Sequence, residues 1–211
     1  MTDGATGSDY VTGALEREGV ETVFGLVGEG NAHLMDAVNG SALALRTARH
    51  EQGAVTMADG YARATGRVGV VTLTHGPGVT NGATGLAIAD RDGVPLVVLV
   101  GDTGILGRET SLQYLDHVDF TRPITAYGTR VEEAAALPDR LRAAFAAARS
   151  RRGPVLVELP RDVQAGAAPD EDYAPAQRAV GRLSPDPAAL DRAAAVLDAA
   201  DKPLILAGGG A

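Results

Sequence analysis

Residues 48–66, ARHEQGAVTMADGYARATG, place a His50-Glu51 pair where a strand-like segment gives way to a helix. Both flanks are apolar enough for burial, and a carboxylate is seldom put in such surroundings without a partner or a task. Read as chemistry, Glu51 is a carboxyl group dry enough to share a proton with a weakly basic acceptor. Read as structure, it is a first-turn acid that favours the helix dipole. Taken alone, the residue suits the structural reading better.

Two further turns carry candidate groups. In THGPGVTNG, Thr74 to Gly82, Gly76 and Gly78 permit close backbone approach and Asn81 offers an amide. His75 in the same turn is either an acid/base facing a substrate or a structural histidine at a strand end. In GLVGEGN, Gly25 to Asn31, Glu29 is either a proton donor or a solvated loop residue. His33 lies one turn into the helix that follows and suits its surface better than a pocket. The dinucleotide fingerprint G-x-G-x-x-G is not met, because GEGNAH has His33 where the third glycine belongs, and no G-x-x-x-x-G-K-[ST] loop occurs. Neither a nicotinamide nor a nucleoside triphosphate is the expected ligand.

These turns need a scaffold that brings them together. The pattern predicts a helix capped by Ser8 or Asp9 and running to Arg17, a strand over Thr22–Val27, a helix over Asn31–Val38 and a strand over Leu43–Thr47. A helix over Gln52–Thr65 ends at Gly66, where a left-handed cap is wanted. VGVVTLT (68–74), VPLVVLVG (94–101) and GPVLVELP (153–160) are near-continuous apolar runs, as strands buried on both faces of a parallel sheet are. The expected fold class is therefore α/β, a three-layer α/β/α domain with a mostly parallel sheet. In such sheets ligands bind at the carboxyl edge, where the three turns fall.

Residues 1–163 form that domain in this reading. Residues 164–186, rich in Pro, Ala and acids, read as a linker. Residues 187–211 open a second domain, with a helix over Pro187–Ala200 and a strand over Pro203–Ala207 that need neighbours to bury their apolar faces. The chain is expected to be a fragment of a longer protein.

Composition narrows the function classes. The chain has 211 residues, 45% of them hydrophobic and 22% charged, with a net charge of -8, which argues against a nucleic-acid partner. With no cysteine, thiolate metal sites, disulfides and cysteine nucleophiles are excluded. No segment reads as a signal peptide or membrane span, and the expected location is the cytoplasm.

FGLVGEGNAHLMDAV, RHEQGAVTMADGYARATG, GVVTLTHGPGVTNGATGLAIADRDGVPLVVLVGD and RGPVLVELPRDV together resemble the N-terminal pyrimidine-binding domain of thiamine diphosphate-dependent enzymes. The nearest branch is the acetolactate synthase, benzoylformate decarboxylase and oxalyl-CoA decarboxylase group. The likeness runs over roughly residues 8–163 in family order and spacing, and the tail from about Ser184 resembles the start of that family's central domain.

The resemblance implies an answer for Glu51. It would face the N1′ nitrogen of the cofactor's aminopyrimidine ring and activate it for ylid formation. Gly28, Pro77, Gly78 and Asn81 would line the cofactor. His75 stands where acetolactate synthases usually have serine, and Glu29 where pyruvate decarboxylases have aspartate. Val27 replaces a proline common in the family. Gln113 matches a glutamine that reaches the partner subunit's active site, while Leu115, Tyr114 and Phe120 are expected at a dimer contact and His117 is expected to be structural. Two adjacent histidines that mark pyruvate decarboxylase are absent. The implied cofactor is thiamine diphosphate, with Mg²⁺ bound by a C-terminal domain missing from this chain and no metal ligand here. The implied activity is a lyase or carboligase acting on 2-oxo acids, as a homodimer or tetramer. The alternatives are a stand-alone pyrimidine-binding subunit of a two-chain decarboxylase and a noncatalytic dimerisation module.

Overall fold

The computed structural model describes residues 4–106, 110–175 and 184–208. They fall into two compact units, Met1–Gln177 and Arg178–Ala211. In the first, strands β1 (Thr22–Gly25), β2 (Ala44–Thr47), β3 (Gly69–Leu73), β4 (Leu96–Asp102), β5 (Tyr127–Arg130) and β6 (Pro154–Pro160) form one sheet. Its order is β2-β1-β3-β4-β6-β5, and every neighbouring pair is parallel. Helices α1 (Gly7–Arg17), α2 (Ala32–Asn39), α3 (Glu51–Thr65), α4 (Pro77–Arg91), α5 (His117–Thr121), α6 (Leu137–Arg151) and α7 (Arg161–Ala165) connect or flank the strands.

Alternation along the strands divides the core in two. Val23, Val70, Val97, Val155 and Val157 point to one face, where Val11 and Leu15 of α1, Leu34 and Val38 of α2 and Leu141 and Phe145 of α6 cover them. Phe24, Val71, Leu73, Val98 and Leu156 point to the other, under Ala54, Val55 and Ala58 of α3 and Val79 and Leu86 of α4. Both faces are apolar and β3, β4 and β6 are buried along their whole length. The uninterrupted hydrophobic runs are the sequence trace of that burial. The fold is the three-layer α/β/α arrangement expected.

Several boundaries differ from the sequence reading. The first helix is capped by Thr6, not Ser8 or Asp9: Thr6 Oγ1 accepts from the Asp9 backbone N–H at 3.2 Å, and the Asp9 carboxylate accepts from the Thr6 N–H at 2.8 Å. This reciprocal capping box leaves Ser8 buried inside the helix. The Gly66 cap is as expected, with φ 69°. The strand β5, YGTR, is short, polar and at the sheet edge, so its sequence carries no buried-strand signal.

The described residues 164–175, which the composition reads as the start of a linker, fall within the first compact unit. Gln164 is buried, and Tyr173 is 3% exposed against the core beside α1 and α6, its hydroxyl donating to Glu18. The second unit contains α8 (Pro187–Asp198), whose Asp186 carboxylate caps the Ala188 N–H at 3.1 Å. The strand expected over Pro203–Ala207 does not form. Leu204, Ile205 and Leu206 are 91%, 74% and 93% exposed, since among the described residues they have no strand to pair with. No described helix is long and apolar enough to cross a membrane.

Candidate functional site

The sheet order reverses direction at β1, with β2 on one side and β3 on the other. The helices that follow β1 and β3, α2 and α4, pack on opposite faces of the sheet, which makes this the switch point, where the crevice at the carboxyl edge of an α/β sheet binds ligands. Glu51 comes to this edge as the first residue of α3, directly after β2. His50 caps that helix, its Nδ1 accepting from the Gln52 N–H at 3.2 Å. That role of His50 was hidden in the sequence, because histidine is not among the usual capping types.

Glu51 is 9% exposed. Its Oε2 accepts from Asn81 Nδ2 at 3.0 Å, and Oε1 has no hydrogen-bond partner among the described residues. Asn81 reaches it because glycines on α4 let that helix close on Val55 of α3. A Cβ on Gly85 would lie 2.8 Å from Val55 Cγ1, and one on Gly82 would lie 3.3 Å from Val55 Cγ2. A Cβ on Gly78 would meet Thr74 Cγ2 at 2.8 Å and face Glu51 Oε1 at 3.8 Å. Glu51, Gly78 and Asn81 are thus brought together, with Pro77 exposed at the first turn of α4.

The β1 loop is fixed from beneath. Asn31, fully buried, donates from Nδ2 to the Leu26 carbonyl at 3.1 Å and to Thr72 Oγ1 at 3.2 Å, and its Oδ1 accepts from the Gly28 N–H at 2.8 Å. The Gly30 N–H donates to Thr74 Oγ1 at 3.1 Å, and the Gly30 carbonyl accepts from Gln164 Nε2 at 2.6 Å. Gly28 lies against Thr74, where a Cβ would come within 2.5 Å of that side chain. Two loops far apart in sequence are thereby locked to each other at the carboxyl edge.

The remaining candidates are placed differently. Glu29 is exposed and accepts from Arg161 Nη1 at 2.9 Å, so its carboxylate is turned to β6's following helix rather than hydrogen-bonded to Glu51. His33 is exposed on the first turn of α2. Gln113 is exposed, yet its backbone carbonyl closes on Gly76, where a Cβ would stand 2.2 Å away.

His75 is 1% exposed, with Nδ1 3.3 Å from Thr74 Oγ1 and pressed against Gly30, which is the strand-end position of its structural reading. Burial lowers its pKa below the ordinary histidine value, against the opposing pull of the Asp102 and Glu29 charges. A histidine held neutral by folding stabilises above its unfolded value of about 6.5 and loses that contribution as pH falls through its folded value. The melting temperature should therefore fall between pH 7 and pH 5 more steeply in the wild type than in His75→Gln. Equal slopes in the two proteins would contradict the assignment.

Sequence reasoning missed a buried polar cluster on the far side of the THGPG turn. Arg130 Nη2 donates to Asp102 Oδ2 at 2.8 Å and lies 3.0 Å from Glu158 Oε1. His117 Nδ1 meets Glu158 Oε2 at 3.0 Å, and its Nε2 accepts from the Gly76 N–H at 2.8 Å. Burial raises the Glu158 pKa and pushes Asp102 the same way, but hydrogen bonds to Glu158 and the Thr103 N–H and the Arg130 charge hold Asp102 below its ordinary value. Asp102, His117 and Glu158 place donor atoms within 4.8 Å of one another, but Arg130 already fills the role of cation there.

The chain is similar to known proteins over most of its length. A family model described as thiamine pyrophosphate enzyme, N-terminal TPP binding domain, matches residues 5–120. A probable acetolactate synthase large subunit of Methanocaldococcus jannaschii is 38% identical over 212 residues, covering 97% of this chain and 36% of that protein. The acetolactate synthase large subunit of Lactococcus lactis is 44% identical over 161 residues, 75% of this chain and 28% of the relative. The acetolactate synthase isozyme 3 large subunit of Escherichia coli K12 is 39% identical over 214 residues, 98% of this chain and 37% of the relative. The matches thus cover 28–37% of the length of these relatives.

Proposed function

Because the chain belongs to the thiamine pyrophosphate enzyme family through its N-terminal TPP binding domain, we propose that it supplies the pyrimidine-binding half of an acetolactate synthase-like active site acting on 2-oxo acids. The observation that carries this reading is the Glu51 carboxylate at the sheet's carboxyl edge, with Oε2 held by Asn81 and Oε1 open. The fit to an aminopyrimidine rests on that free oxygen and on Gly78, whose missing side chain leaves space beside it.

In this reading Glu51 would hold and share a proton at Oε1 with a ring nitrogen of a bound aminopyrimidine, the 9% exposure of the residue limiting its loss to water. Asn81 fixes the rotamer of Glu51 so that the carboxyl group needs no reorganisation. Gly28, Pro77 and Gly78 shape the walls. Bound thiamine diphosphate supplies the carbon nucleophile that attacks a 2-oxo acid carbonyl. Mg²⁺ and the diphosphate are proposed to be held by residues outside this chain, in the cytoplasm. A homodimer or tetramer would form through this domain, where Leu112, Tyr114 and Phe120 expose apolar surface beside Gln113.

The test is to incubate the full-length protein with pyruvate, thiamine diphosphate and Mg²⁺. The expected result is cofactor-dependent release of CO₂ with a condensation product seen by NMR. Absence of cofactor-dependent consumption across a panel of 2-oxo acids would overturn the activity.

A further inference from the structure

We propose that His117 is a positioning residue for the cofactor loop, fixing Gly76 and through it the turn that sets Gly78 and Asn81 beside Glu51. The inference rests on the cofactor reading above and concerns a residue outside the crevice itself.

Gly76 adopts φ 57° and ψ -111°, a backbone state that side chains resist, and it caps the helix α4 without any side-chain hydrogen bond of its own. Its position is dictated by the segment 113–117. The Gln113 carbonyl closes on its Cα, and the His117 ring accepts its N–H at 2.8 Å. That hydrogen bond requires a lone pair on Nε2, so the ring's proton is on Nδ1 and is donated to Glu158 Oε2 at 3.0 Å. Glu158 belongs to β6 and is fully buried; Arg130, at the end of β5, holds both it and Asp102, at the end of β4. Residues of three strands therefore orient one imidazole through Glu158, and the imidazole orients one amide.

The consequence reaches Glu51 along a short path. Gly76 precedes Pro77, and the first turn of α4 carries Gly78 and Asn81, whose Nδ2 holds Glu51 Oε2 at 3.0 Å. If Gly76 is not held, the turn samples other states, and cofactor affinity falls by the fraction of time the competent state is lost. His117 acts on preorganisation rather than on chemistry.

The experiment compares His117→Asn with His117→Gln in the full-length protein. Asparagine can keep a donor near Glu158 but is too short to accept from Gly76, whereas glutamine offers both an acceptor and a donor at imidazole reach. Thiamine diphosphate with Mg²⁺ is titrated by calorimetry, and hydrogen–deuterium exchange is followed on peptides spanning residues 73–80. The expected result is a Kd raised roughly tenfold in His117→Asn, with faster exchange over 73–80, and near wild-type values in His117→Gln. A folded His117→Asn that binds the cofactor as the wild type does would reduce His117 to a structural residue and overturn the proposal. Should His117→Asn not fold, the wild type decides: exchange over 73–80 must slow when the cofactor binds, and unchanged exchange overturns the proposal. A wild type that does not bind thiamine diphosphate refutes the cofactor reading instead. In that case, unaltered exchange over 73–80 in His117→Asn would separately refute the clamp on Gly76.

Discussion

Glu51→Gln in the full-length protein is expected to fold and melt as the wild type does while losing turnover by about 10²–10⁴-fold, the usual contribution of a positioned acid/base. The carboxamide is isosteric, and its Oε1 can still accept from Asn81 Nδ2, so the contact at 3.0 Å survives. What it cannot do is give and retrieve a proton at the oxygen facing Gly78. Two measurements separate the explanations: steady-state turnover at saturating thiamine diphosphate, and deuterium exchange at the cofactor's thiazolium C2 position followed by NMR. Loss of both with an unchanged melting curve assigns the acid to Glu51. Wild-type rates would return the residue to its other role, a first-turn acid favouring the dipole of α3.

Gly101→Ala should produce the largest loss of stability of any single-methyl addition near the site. A Cβ at Gly101 would lie 2.1 Å from the Gly30 carbonyl oxygen, 2.2 Å from its carbon and 2.5 Å from the Asn31 nitrogen. All three are backbone atoms, so no rotamer change relieves the clash. The β1 loop would have to lift, breaking the Gln164–Gly30 hydrogen bond and straining the three made by Asn31. Forced repacking of this kind costs about 2–4 kcal/mol, or roughly 5–15 °C in melting temperature for a domain of this size. Differential scanning calorimetry reads it directly. Because Gly28 belongs to the displaced loop, cofactor affinity should fall as well. A variant as stable as the wild type would contradict the close seating of the β1 loop on the end of β4.

Much of this site was legible because its parts are local. A carboxylate opening a helix just after a strand, glycines in a strand-to-helix turn and an asparagine one turn further on can each be read from neighbouring residues. Their order along the chain matched a family whose own pattern is local too. The misreadings share a cause. Thr6 caps the first helix through a reciprocal pair with Asp9 that competes with two equally suitable neighbours, and only geometry selects among them. The segment after residue 163 looks like a linker by composition, yet Gln164 and Tyr173 pack back onto elements more than a hundred residues earlier.

The sequence by itself determined the class of fold, since runs buried on both faces admit only a covered parallel sheet. It also determined which residue types stand at the carboxyl edge, because strand ends and turns are written in short-range patterns. Only the tertiary structure decided which of those residues meet. Asn81 and Glu51 are thirty positions apart and touch because glycines let α3 and α4 approach. His117 was expected only to be structural; the fold alone shows that it joins Gly76 to Glu158, which Arg130 holds in turn from a third distant segment. Hydrogen bonds between such segments leave no periodicity and no spacing in the chain, so their partners are fixed only when the sheet is assembled.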